Sequence, residues 1–335
     1  MALADWEQAG KHKKPPMRTF PSLPLVVTAL IIGADIVSPV HAAVAAVPPP
    51  VPTVSPSDLQ SLQDKARSGD AKAQTDLGVA YGRGQGVAQD WTQAALWIQK
   101  ASDQGFAPAE VALGELYSAG RGVPQDFAKA AQWYQKAADQ NDANGQTSLA
   151  DFYTRGLGVP IDLTKAAALY RKAADQNNLN AQICLASLYL SGAGVPQDNA
   201  QALSWARKAA TQGSPKGEML LAILYHMGKG VPADDTQAFT WLKKAADQGD
   251  AEAMGNLGMF YANGVGVPRD YAQSFAWYSK GAALNDPNSE NGLGLLYENG
   301  QGVGKDIAQA IAWYQKAAAR GNANAQQALA RLNVK

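Results

Sequence analysis

A segment of 36 residues recurs seven times in this chain, at 71–106, 107–142, 143–178, 179–214, 215–250, 251–286 and 287–322, with no insertion or deletion. A period of that length marks an architecture made by stacking one supersecondary unit, because a single unit cannot bury its apolar face alone. A half-copy precedes the array at 59–70, and a truncated one follows at 323–332. The fold is therefore legible one repeat position at a time.

Each copy reads as two helices. Position 7 is Leu in every copy (Leu77, Leu113, Leu149, Leu185, Leu221, Leu257, Leu293), position 8 is Gly or Ala, and position 11 is Tyr (Tyr81, Tyr117, Tyr153, Tyr189, Tyr225, Tyr261, Tyr297). With the small residue at position 3, these trace one face of a helix. The helix stops at Gly-x-Gly-Val, as in Gly120-Arg121-Gly122-Val123, where both glycines predict left-handed backbone. A second helix opens at an Asp common to all copies: Asp90, Asp126, Asp162, Asp198, Asp234, Asp270 and Asp306. Its carboxylate suits the free N–H groups and the positive end of the helix dipole. Gln three residues later in five copies (Gln93, Gln201, Gln237, Gln273, Gln309) predicts a capping box. Position 27 is Trp in six copies, with Leu169 the exception, and implies an aromatic packing face. Position 35 is Gly or Asn, which tolerate a left-handed helix end, and position 36 is Asp, Asn or Ser except at Phe106. Pro215 and Pro287 stand at first helical positions. The expectation is an all-α, right-handed α-solenoid of seven 36-residue helix-turn-helix repeats over 57–335, frayed into half-repeats at its ends.

The N-terminus carries a different message. Lys11, Lys13, Lys14 and Arg18 precede an apolar run at 23–34 (LPLVVTALIIGA) and small-residue sites at His41-Ala42-Ala43 and Ala43-Val44-Ala45. That order predicts a signal peptide over 1–43, with Met17 an alternative start, and hence a periplasmic or secreted protein. The run is short for a bilayer span, so a stable membrane span arises only if the signal is retained as an anchor. Residues 44–56 form a Pro-rich linker expected to be disordered. One cysteine, Cys184, forbids an internal disulfide. With 29 basic against 29 acidic side chains, electrostatics gives no reason to expect a nucleic-acid partner.

Chemistry-bearing patterns are sparse. The glycine pair has no preceding strand and recurs in every copy, so it reads as a helix turn and not a nucleotide loop. His12 and His41 lie in the signal region, leaving His226 alone in the repeats, too few for a triad or a histidine metal site. His226 itself reads as a surface residue. Cys184 reads as a small helix residue and the Asp row as helix caps. No catalytic residue, metal site or cofactor is expected, and the chain is expected to be a monomer.

Leu113-Gly114, Tyr117, Gly120-x-Gly122-Val123, Asp126 and Lys129-Ala130-x-x-Trp133-Tyr134-x-Lys136-Ala137-Ala138, with counterparts in most copies, resemble the Sel1-like repeat family, a relative of the tetratricopeptide repeats. The resemblance covers 71–322 and implies an adaptor that brings other proteins together. Exported bacterial relatives are implicated in signalling control, envelope polysaccharide machinery and host contact. If the first helices line a groove as in tetratricopeptide relatives, positions 2, 5, 9 and 12 look into it. Position 9 runs Val79, Glu115, Asp151, Ser187, Ile223, Met259, Leu295, from acidic to apolar. The candidate surface for a protein or peptide partner is then Ser187, Leu190, Met219, Ile223, His226, Met259 and Leu295. The alternative is a cell-envelope β-lactam-binding protein or hydrolase like the cysteine-rich Sel1-like members. Those carry a disulfide in each repeat, which this chain lacks.

Overall fold

The computed structural model describes residues 56–333, and the expected signal peptide (1–43) and the linker up to 55 lie outside them. Among the described residues every regular element is an α-helix. In order they are α1 (Pro56–Arg67), α2 (Ala71–Arg83), α3 (Trp91–Ser102), α4 (Ala107–Ala119), α5 (Phe127–Asp139), α6 (Ala143–Arg155), α7 (Leu163–Asp175), α8 (Leu179–Ser191), α9 (Asn199–Thr211), α10 (Pro215–Met227), α11 (Asp235–Asp247), α12 (Ala251–Asn263), α13 (Tyr271–Ala283), α14 (Pro287–Asn299), α15 (Ile307–Ala319) and α16 (Ala323–Arg331). The chain is an all-α solenoid of helix pairs. It divides into two compact units, one ending at Ala245 and the other beginning at Ala246.

In the first unit, helices from α1 to α10 each pack on the next, and first helices of consecutive repeats also touch: α2 with α4, α4 with α6, α8 with α10. Among the described residues, no second helix of this unit packs comparably on the next second helix. The first helices therefore occupy the inner side of the unit. The second unit repeats the arrangement, with α12 against α14 and α14 against α16.

The fixed residues explain the packing. All seven position-7 leucines are at most 1% exposed. At position 8 the lack of bulk admits a ring from the second helix: a Cβ on Gly114 would stand 2.6 Å from Tyr134, and one on Gly258 2.7 Å from Tyr278. Position 28 thus supplies deeply buried aromatics (Tyr134, Tyr170, Tyr278, Tyr314), alongside Phe152 and Phe260 of the first helices. The neighbouring Trp column sits further out. Trp205 and Trp277 are buried and Trp97, Trp133, Trp241 and Trp313 half-buried, each with the Lys of the next turn over its ring at 3.7–5.1 Å.

The turns form as expected, with one correction. Both glycines of every Gly-x-Gly have φ between 64° and 74°. The second also lies against the backbone that opens the preceding second helix: a Cβ on Gly122 would fall on the Trp91 carbonyl, and one on Gly158 on Phe127. Each repeat Asp caps its helix, its carboxylate accepting from N–H groups two or three residues on at 2.8–3.0 Å. The reciprocal half of the capping box is not made. Each Asp backbone N–H instead donates to the carbonyl of the preceding position-11 Tyr, at 2.9–3.0 Å, tying second helix to first. The position-36 caps form at Asp70, Asp142, Asn178, Ser214, Asp250, Asp286 and Asn322, and Phe106 makes none.

A polar ladder along the repeats escaped the sequence reading. The Gln at position 34 of one repeat donates to the Gln or Glu at position 4 of the same repeat, 30 residues earlier: Gln104 to Gln74 at 2.7 Å, Gln140 to Glu110 at 2.8 Å, Gln176 to Gln146 at 2.9 Å, Gln212 to Gln182 at 2.7 Å. In the second unit Arg320 does this to Glu290. Gln182 in turn donates to the carbonyl of Ala174 in the preceding repeat. Such groups are costly to leave unpaired. Gln182→Leu is therefore expected to destabilise by about 1–3 kcal/mol in urea unfolding; an unchanged midpoint would show the ladder to be incidental.

Candidate partner-binding surface

Four of the residues expected to line an apolar groove are core. Ser187, Leu190, Met219 and Ile223 are 1–5% exposed and so present nothing to a partner. The cause is composition: α8 (LNAQICLASLYLS) and α10 (PKGEMLLAILYHM) are apolar on nearly every side, and such helices are buried all round. Position 9 is therefore core at these two helices. His226 is half-buried, with Nδ1 2.6 Å from Asp235 Oδ1. Met259 and Leu295 are half-buried in the second unit, packed against a core that includes Tyr278, Leu293 and Leu296. Cys184 is buried, its thiol pushed up by burial and then by Asp151. Among the described residues, no three His, Cys, Asp or Glu side chains come together as a metal site.

The chemistry on the inner side lies instead in the acidic part of the same column. Glu115 on α4 and Asp151 on α6 occupy position 9 of consecutive repeats and are half-buried. Burial pushes the Glu115 carboxyl up to about 8, against the opposing pull of Arg83. Burial likewise pushes Asp151 up to about 6, opposed by a hydrogen bond from Tyr170 and by Arg155. The Tyr170 hydroxyl donates to Asp151 Oδ1. Tyr134, the matching residue one repeat earlier, is fully buried, and its hydroxyl has no partner. The two acids were visible in the sequence, but the tyrosines that reach them from the second helices were not, since position 28 varies among Ile, Tyr, Ala and Leu.

The sign of the pH effect follows. Both carboxyls hold a proton more firmly folded than unfolded, so the folded state gains stability as pH falls from about 8 towards the ordinary Glu value of 4.5. Glu115→Gln is expected to raise the urea midpoint near pH 8, leave it little changed near pH 4.5, and flatten the dependence between. A variant less stable than the parent near pH 8 would contradict the desolvation of Glu115.

The Sel1 repeat model matches residues 71–106, 107–142, 143–178, 180–214, 215–250, 251–286 and 287–322. The fold is similar to the crystal structure of a protective antigen present in uropathogenic Escherichia coli strains and displaying an SLR fold, with a TM-score of 0.70 and 38% identity over 82% of this chain. The match spans 59% of that protein. A Sel1 repeat protein from Oxalobacter formigenes is similar at a TM-score of 0.65 and 36% identity, over 82% of this chain and 80% of that one. No curated protein matches. Seven contiguous repeat matches, on a structure that stacks them as helix pairs, mean that this chain belongs to the Sel1 repeat family.

Proposed function

We propose that this protein is an exported adaptor that holds a partner protein or peptide against its inner helices. One observation carries this reading: the residues fixed across copies are committed to the core, the caps and the turns, while the inner columns change from repeat to repeat. A surface that the fold leaves free to vary is where an extended scaffold places recognition. Export is supported by the basic, apolar and small-residue order of the first 43 residues. The role is mechanical: the adaptor offers side chains on stacked helices and performs no chemistry on its partner.

Two measurements test it. The chain recovered from its own cell envelope is expected to begin at Val44 or Ala46, after one of the two small-residue sites. An intact chain confined to the cytoplasm would refute export. Charge reversal at the exposed inner position 2, Lys72→Glu with Lys216→Glu, is expected to weaken capture of envelope proteins. Substitution of the exposed Gln132 on a second helix is expected to leave capture intact. The opposite pattern would place recognition on the outer helices.

A further inference from the structure

Repeats two and three carry the same two polar side chains at the same two positions, an acid at position 9 and a Tyr 19 residues later at position 28. In repeat three the pair is closed by the hydrogen bond from Tyr170 to Asp151. In repeat two it is open. The Tyr134 hydroxyl is buried without a partner, and its ring lies against Gly114 of α4 and edge-on to Phe152 of α6, between the two helices. Glu115 forms no hydrogen bond or ion pair through its carboxylate among the described residues, although it is only half-buried. A buried phenol with no acceptor, beside a carboxylate with no donor, is an incomplete arrangement.

The other charged and titratable groups around the two acids do not complete it. Arg83 on α2 acts on Glu115 from a distance, and Arg155 acts on Asp151 from the same helix. Neither arginine closes an ion pair on these acids among the described residues. Tyr170 on α7 is engaged with Asp151, and Cys184 on α8 lies behind that pair as a neutral thiol.

We propose that the inner face of α4 takes a Lys or Arg side chain from an extended segment of a partner protein, its cation held on Glu115 with the Tyr134 hydroxyl donating to the same carboxylate. The occupant follows from charge complementarity. A carboxylate taken partly out of water is poorly solvated as an anion, and a cation placed on it restores what burial removed. An acidic segment would add repulsion, and an apolar one would complete the desolvation without compensation. Because the cation is held by the ionised acid, its binding releases a proton and tightens as pH rises through the range in which Glu115 titrates. The assignment rests on the inner helices being the adaptor's binding surface, and names what that surface recognises in its second repeat.

The test uses the immobilised full chain and four pools of nine-residue peptides, degenerate except for a fixed central Arg, Lys, norleucine or Glu. Near pH 8 the Arg and Lys pools are expected to be retained about fivefold over the norleucine and Glu pools, with the preference shrinking near pH 5.5. The variant Glu115→Gln is expected to retain Arg and norleucine pools equally while its helical circular dichroism is unchanged. Equal retention of all pools by the parent, no retention of any, or a basic preference that survives in the variant overturns the assignment. If the variant captures envelope partners as the parent does, the adaptor reading stands and this assignment falls; if neither captures any, the broader reading falls with it.

Discussion

Gly122→Ala is expected to destabilise the protein by about 2–5 kcal/mol, the sum of a left-handed backbone penalty and a forced local displacement. Gly122 has φ 68°, and an added Cβ would fall on the backbone carbonyl of Trp91. Gly105, at a helix end, separates the two causes. Its φ is 74°, yet a Cβ there meets nothing within 4 Å. Gly105→Ala should therefore carry the backbone penalty alone, about 1–2 kcal/mol. Urea unfolding of the two variants side by side decides the matter. Equal losses would mean that the second glycine of the turn serves conformation only, and that repeats do not rely on its close approach.

Trp205→Ala should cost about 3–5 kcal/mol, as truncation of a large buried aromatic does. Trp205 is 3% exposed, with Lys208 over its ring at 3.8 Å and Arg171 at 5.2 Å. Losing the ring leaves a cavity and removes the surface on which two long cationic side chains lie. Tyr189→Ala should cost less, because Tyr189 is half-buried and its ring lies under Arg171 nearer the surface. Thermal or urea unfolding reads both. A loss at Trp205 within about 0.5 kcal/mol, the range of surface sites, would contradict its burial.

What the sequence made legible was whatever recurs. The repeat length, the Asp caps, the two glycines of each turn and the position-7 leucines need only local chemistry, and they occur where their columns imply. The capping box was misread because a backbone N–H chooses among acceptors that lie far apart in sequence. The Tyr carbonyl of the previous helix is delivered to Asp90 by the turn, and no pattern around Gln93 reveals it. The groove assignment went astray for a related reason. A column keeps its direction along a solenoid, but its exposure depends on how much apolar bulk surrounds it. Around Ser187 and Ile223 that bulk closes over the column, whereas Glu115 and Asp151 keep contact with the surface. The tyrosines facing those acids come from the other helix of the pair, which only the folded packing brings into register.

Acidic side chains also distinguish the inner surface of the first unit. This unit offers carboxylates that ionise reluctantly, and its buried Cys184 keeps the thiol out of reach. Under the proposed role, recognition by such a surface would depend on pH in the range where Glu115 and Asp151 titrate.

The central claim, that recognition belongs to the inner helices, is tested most directly by photo-crosslinking in living cells with a reactive residue placed at one position at a time. Crosslinks to a partner are expected from positions 115 and 151 on α4 and α6, and not from the exposed positions 132 and 135 on α5. Crosslinks confined to 132 and 135, with none at 115 or 151, would contradict it.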